Sequence, residues 1–103
     1  MKHMIRMPVT VQAGITLENR PGGPGPVIGR VLERFKPECV YMCPAKRELF
    51  MVCDLTPTDM AELMMVSGAL GGQYAEMIPV VTGAEFGGVV GKAIPGAKKI
   101  VEG

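Results

Sequence analysis

Tryptophan is absent from this chain of 103 residues, and histidine, serine and asparagine occur once each, as His3, Ser67 and Asn19. A Ser-His-Asp triad, a multi-histidine metal centre or a histidine-ligated haem would each depend on His3, which the sequence reads as a solvated terminal residue. Those chemistries are set aside. Cysteine is scarce and odd in number: Cys39, Cys43 and Cys53 suit free thiols in a reducing compartment better than a disulfide scaffold. Neither sign of charge dominates. Eleven basic and 10 acidic residues leave a net charge of +1, which offers no handle on nucleic acid or an anionic membrane. No apolar run approaches a membrane span, and Met1–Pro8 lacks the apolar stretch of a signal peptide. The expectation is a cytoplasmic protein with no nucleic-acid partner and no membrane partner.

What is present suffices for a core. A hydrophobic content of 48% with 20% charged residues points to one folded domain, residues 1–96, followed by a tail at 97–103. The most informative stretch is Cys39–Leu55, where two apolar runs flank the charged turn Ala45-Lys46-Arg47-Glu48. It reads as a β-hairpin that is apolar on both faces. One face is expected to carry Cys39, Tyr41, Cys43, Leu49, Met51 and Cys53, and the other Val40, Met42, Phe50 and Val52. A strand pair with two dry faces needs a cover on each.

Before the hairpin, Met7, Val9, Val11, Ala13, Ile15 and Leu17 alternate with small or polar residues, which predicts a half-buried strand over 7–17 with Pro8 at its start or on an edge. Asn19–Pro26 is a loop. Pro26 then opens a helix whose stripe is Val27, Ile28, Val31, Leu32 and Phe35, ended by Pro37. Thr56-Pro57-Thr58-Asp59 starts a second helix running to Leu70, stopped by Gly71-Gly72. Glu76–Thr82 reads as a fourth strand. Thr82-Gly83-Ala84-Glu85 is a capping box for a short helix to about Ala93, ended by Pro95-Gly96. The order β-α-β-β-α-β plus a terminal helix is the α+β, ferredoxin-like arrangement, an antiparallel sheet with helices on one face. Two helices leave the other face bare, so a homodimer or higher homo-oligomer, built sheet to sheet, is expected.

The residues Leu49–Leu63, Gly71-Gly72 and Met77–Phe86 resemble the second half of small dimeric α/β-barrel proteins, nearest the GYD family and related uncharacterised bacterial domains. The resemblance covers roughly residues 27–86. Where that family has a Gly-x-Tyr-Asp hairpin turn, this chain has Ala45-Lys46-Arg47-Glu48. The resemblance implies a dimeric α/β barrel and a superfamily that holds cofactor-free monooxygenases, isomerases, haem-degrading enzymes and members without known activity. Fold alone therefore delivers no function.

Gly23–Gly29 follows a strand and opens a helix, but Pro24 and Pro26 remove two of the N–H groups a pyrophosphate would need, so it reads as a structural loop. Around Gly91-Lys92-Ala93, Phe86 and Ala93 stand where a phosphate loop requires Gly and Ser or Thr. The cysteines lack metal-site spacing, although Cys39 and Cys53 are expected to face each other across the hairpin. No cofactor and no metal are expected. Tyr41, Asp54 and Glu76 are the weak catalytic candidates, polar groups on largely apolar strands, with Asp54 better suited to capping the next helix than to acting as a base. Gln12, Tyr41, Met60 and Met64 are the candidate ligand-binding residues, the methionines as adaptable cleft lining or as core filler. Two functional readings stand: an oligomeric domain of unknown function that binds a small apolar ligand or nothing, and a cofactor-independent enzyme, monooxygenase- or isomerase-like, acting on a small aromatic or lactone substrate.

Overall fold

The computed structural model describes residues 1–103. Its elements in chain order are β1 (Lys2–Pro8), α1 (Val11–Glu18), α2 (Gly25–Phe35), β2 (Cys39–Cys43), β3 (Glu48–Asp54), α3 (Pro57–Gly71), β4 (Glu76–Pro79) and α4 (Gly83–Glu102). The four strands form one open antiparallel sheet in the order β2-β3-β1-β4. The fold is therefore α+β, as the sequence pattern indicated. The β-α-β-β-α-β pattern is not matched exactly: the first crossover holds two helices, and α4 extends beyond the sheet.

Beyond Pro8, the segment read as a strand over 7–17 is not one. Its alternation competes with a stronger local signal, Thr10, whose extended backbone and side-chain oxygen cap α1 by accepting from the Ala13 N–H at 3.2 Å. The Thr10 N–H in turn donates to the Gly71 carbonyl at 2.8 Å, which fixes the start of α1 to the end of α3. That junction is tight. A side chain at Gly71 would place its Cβ 2.9 Å from the Pro8 carbonyl oxygen, so only glycine lets α3 approach β1 here. The true first strand lies upstream, at Lys2–Pro8, and Pro8 ends it.

Helix α2 follows the expected stripe, burying Val27, Val31 and Phe35, and ends on Lys36 in the left-handed region. Helix α3 begins with a full capping box between Thr56 and Asp59 and buries Leu63 and Ser67. Arg34 ties the two helices, reaching Asp59 at 3.0 Å and Glu62 at 2.7 Å. The core lies between these helices and one face of the sheet: Ile5, Val31, Phe35, Leu49, Met51, Cys53, Leu55 and Leu63.

The hairpin register differs by one residue from the expected one. Cys39 pairs with Val52, Tyr41 with Phe50 and Cys43 with Glu48, leaving the four residues Pro44–Arg47 in the turn. A turn one residue shorter moves a whole strand's side chains to the other face. The inner face thus carries Leu49, Met51 and Cys53 with Val40 and Met42. Cys39, Tyr41, Cys43, Phe50 and Val52 lie on the outer face. Cys39 and Cys53 do not oppose each other, and all three thiols are free. His3 also departs from expectation: it is 4% exposed on the inner face of β1, its Nδ1 2.8 Å from the Met1 carbonyl oxygen.

The outer face has no helix on it. Across it run two rows of directly opposed residues: Cys39, Val52, Met4 and Ile78, and beside them Tyr41, Phe50, Arg6 and Glu76. Met4 is 49% exposed, Ile78 47% and Tyr41 72%.

Helix α4 continues through Pro95 to Glu102, so the expected tail at 97–103 is helical up to its last residue. It buries none of its residues and extends the molecule to 59 Å against 28 and 25 Å on the other axes.

Candidate functional site

The more enclosed of two main concavities is a cleft of about 500 Å³ at the end of the sheet where β1 stops and the hairpin turns. Four pieces of local structure make it. Strand residues Met7 and Leu49 contribute apolar surface from the sheet, and Val27, Ile28 and Val31 line the cleft from the buried stripe of α2. Leu17 and Gly14 contribute the α1 wall, which exists because Thr10 turns the chain into a helix instead of continuing β1. Ser67, Leu70 and Gly71 bring in the end of α3. Its volume and apolar lining with few polar groups match what small-molecule sites generally require.

The polar groups are few and mostly committed. Arg47 sits in the hairpin turn with φ of 49°, in the left-handed region, and pairs with Glu18 from the end of α1. Its guanidinium lies over Gly14, where a side chain would oblige it to move. Glu48, next in sequence, is only 5% exposed, and Arg6 neutralises it through two contacts, the longer of them at 3.4 Å. A carboxylate this deeply buried requires such a partner. The Arg6 guanidinium gains from the pairing too, its pKa raised first by the hydrogen bond to Glu48 and then by the charge. Ser67 is fully used: its hydroxyl donates to the Met64 carbonyl at 2.9 Å and accepts from the Ala75 N–H at 2.9 Å. It is a structural brace between α3 and the approach to β4, with no base beside it. The cleft can therefore enclose an apolar body and offer it the Arg47–Glu18 pair, which is open to solvent and free to exchange partners, whereas the Glu48 carboxylate is turned to Arg6.

The residues singled out from the sequence lie elsewhere. Tyr41 and Glu76 do share a face and a row, but Phe50 and Arg6 stand between them, three strand spacings or ~14 Å. Asp54 is at the opposite end of the sheet, 2.7 Å from the N-terminal ammonium, whose hydrogen bond and charge hold its carboxyl below the usual range. Gln12 is exposed on α1. Met60 packs on the core, and Met64 with Met65 borders a shallow groove along α3 beneath Tyr74. The structure brings none of these six into the cleft.

The cleft's own polar residues, Glu18, Arg47 and Glu48, escaped the sequence reading. Glu18 follows a segment read as a strand, and Arg47 and Glu48 read as solvated turn residues. The one usable signal was the charged turn itself, where Arg47 could not be placed without the register. No three His, Cys, Asp or Glu side chains gather as a metal site. No helix is long and apolar enough to cross a membrane. Comparison of the chain with family models, with curated proteins and with solved structures finds no match.

Proposed function

We propose that this chain is a small binding domain whose cleft holds a compact, mostly apolar ligand, with any acceptor group of that ligand directed at Arg47. The carrying observation is the cleft of about 500 Å³ with apolar walls from α1, α2, β1 and β3 and a solvent-facing Arg47–Glu18 pair. That pair is exposed and contributes little to stability, about 0–1 kcal/mol, so a ligand carboxylate or sulfonate can take the place of Glu18 at low cost. The apolar body supplies the affinity at roughly 25 cal/mol per Å² removed from water, less the cost of immobilising it. The sheet order with helices on its inner face supports reading the chain as a variant of the ferredoxin-like arrangement, with α1 inserted to build the cleft wall.

The test is a titration with anilinonaphthalene sulfonate, an apolar probe with an anionic end, followed by fluorescence and by amide chemical shifts. The expected shifts cluster at Leu17, Val31, Leu49 and Arg47. Leu17→Trp, which fills the cleft from the half-buried wall of α1, should abolish binding without unfolding the chain. Binding that survives Leu17→Trp, or shifts confined to the outer sheet face, would overturn the proposal.

A further inference from the structure

Two apolar surfaces of this chain have no cover: the outer sheet face and the long helix α4. On the sheet, Met4, Phe50, Val52 and Ile78 form a contiguous patch across three strands, with Met4 and Ile78 about half exposed. On α4, Phe86, Val90, Ala93, Ala97 and Ile100 recur at i, i+4, i+7, i+11 and i+14, one continuous stripe, while Glu85, Lys92 and Lys99 fall away from it. Yet no residue of α4 is buried.

Alone in water this helix is poor. Gly87, Gly88, Gly91 and Gly96 each cost about 1 kcal/mol relative to alanine, and Pro95 inside the helix costs about 3 kcal/mol. Helices in proteins owe most of their stability to packing of the apolar face, so α4 requires a surface to lie on. It does not lie on its own sheet. The Val80 N–H is held by the Lys2 carbonyl at 2.9 Å, and Thr82 already caps α4 through both halves of its capping box. Only Val81 lies between, and the helix leaves the sheet along the 59 Å axis with none of its residues buried.

We propose that α4 of one copy lies across the outer sheet face of a second copy, and reciprocally, to form a two-fold dimer. Each chain supplies one stripe and one face, so a closed pair covers both with none left over. The dimensions agree: 20 residues make a helix of ~30 Å, enough to cross four strands spaced ~4.8 Å apart. A helix ~10 Å wide covers about 300 Å² of sheet and gives up as much itself. Two such contacts bury ~1,200 Å², the lower end of a specific interface. Face-to-face stacking of two sheets would leave both α4 helices bare. Membrane binding is disfavoured by charge, because Lys92, Lys98 and Lys99 are offset by Glu85 and Glu102.

Cys39, exposed on the outer face beside Val52, provides a native reporter. In a Val90→Cys chain under mild copper–phenanthroline oxidation, Cys39 should join position 90 of a second chain. The product doubles the mass on a non-reducing denaturing gel and is lost when Cys39→Ser is added. In parallel, sedimentation equilibrium of the full chain at micromolar concentration should report a dimer. Phe86→Glu and Met4→Glu should each weaken it about 100-fold. Phe86 is exposed in the single chain, so that variant should keep its far-ultraviolet dichroism and melting cooperativity. The proposal is overturned by a monomeric wild type, by a bond formed within one chain, or by a dimer indifferent to Met4→Glu, which would mean helix-to-helix pairing. It is equally overturned by a monomer whose binding to phosphatidylserine vesicles depends on Phe86.

Discussion

Cys39 and Cys53 sit one residue out of register and on opposite faces of the sheet, so they differ in every property that governs thiol reactivity. Cys39 is open to solvent, whereas burial, and only then the neighbouring Cys39 and Glu38 charges, pushes the Cys53 thiol up to about 11. Since the thiolate is the nucleophile, Cys53 stays inert at neutral pH. Ellman's reagent on the native protein at pH 8 should react rapidly with Cys39, more slowly with Cys43, and with Cys53 only after unfolding, for three thiols in all. A count of one after denaturation would mean a disulfide and contradict the register. The same shift has a sign for stability. Above pH 9.0 the unfolded chain releases the Cys53 proton while the folded chain keeps it until about pH 11. The contribution is therefore complete below pH 9.0 and lost as pH climbs towards 11, visible as a falling urea midpoint that Cys53→Ala does not show.

Among the elements, α3 and α4 begin with the same chemical device and differ in what it supports. Thr56 and Asp59 cap a helix that buries Leu63 and Ser67, and Thr82 and Glu85 cap one that buries nothing within its own chain. Thr56→Ala should lower global stability by about 1 kcal/mol. Thr82→Ala should reduce helicity in α4 while leaving the amide exchange of core strands unchanged in the single chain. Equal effects on global unfolding would show that α4 belongs to the cooperative core. These caps were legible because three or four adjacent residues carry the whole signal, and so was the stripe of α2, whose period survives any error at the ends. Three features were not legible. The α1 segment satisfies the strand period and also a Thr cap, and the choice is made by Gly71, 61 positions beyond Thr10, through the Thr10-to-Gly71 hydrogen bond. The hairpin faces turned on whether Glu48 belonged to the turn or the strand, a question of one residue. Pro95 looked like a stop because proline opposes a helix interior, and within one chain nothing offsets that cost. The cleft followed α1 into obscurity, since without that helix Leu17 and Glu18 have no wall to form.

At the scale of the molecule, the sheet and three helices form one cooperative body, and α4 stands out from it along the 59 Å axis. Fast exchange throughout α4 together with slow exchange at Ile5, Met51 and Leu63 is what this division implies for an isolated chain. Another consequence belongs to the route by which the molecule is lost. Helix α1 is eight residues long, and its only buried residue is Gly14. It therefore detaches early on warming, while the sheet beside it is still intact. What it then releases is Val9–Leu17, nine residues without one charge, alternating like a strand. Such a segment is a template for cross-β stacking as soon as its helix is undone, whichever chain it comes from. The first visible event on heating should therefore be turbidity that precedes loss of the core. Gln12→Lys, on the exposed side of α1, should delay that turbidity by light scattering while leaving the calorimetric unfolding free energy within about 0.5 kcal/mol of its original value. Turbidity unchanged by that charge would place the seed elsewhere, with α4 the next segment to examine.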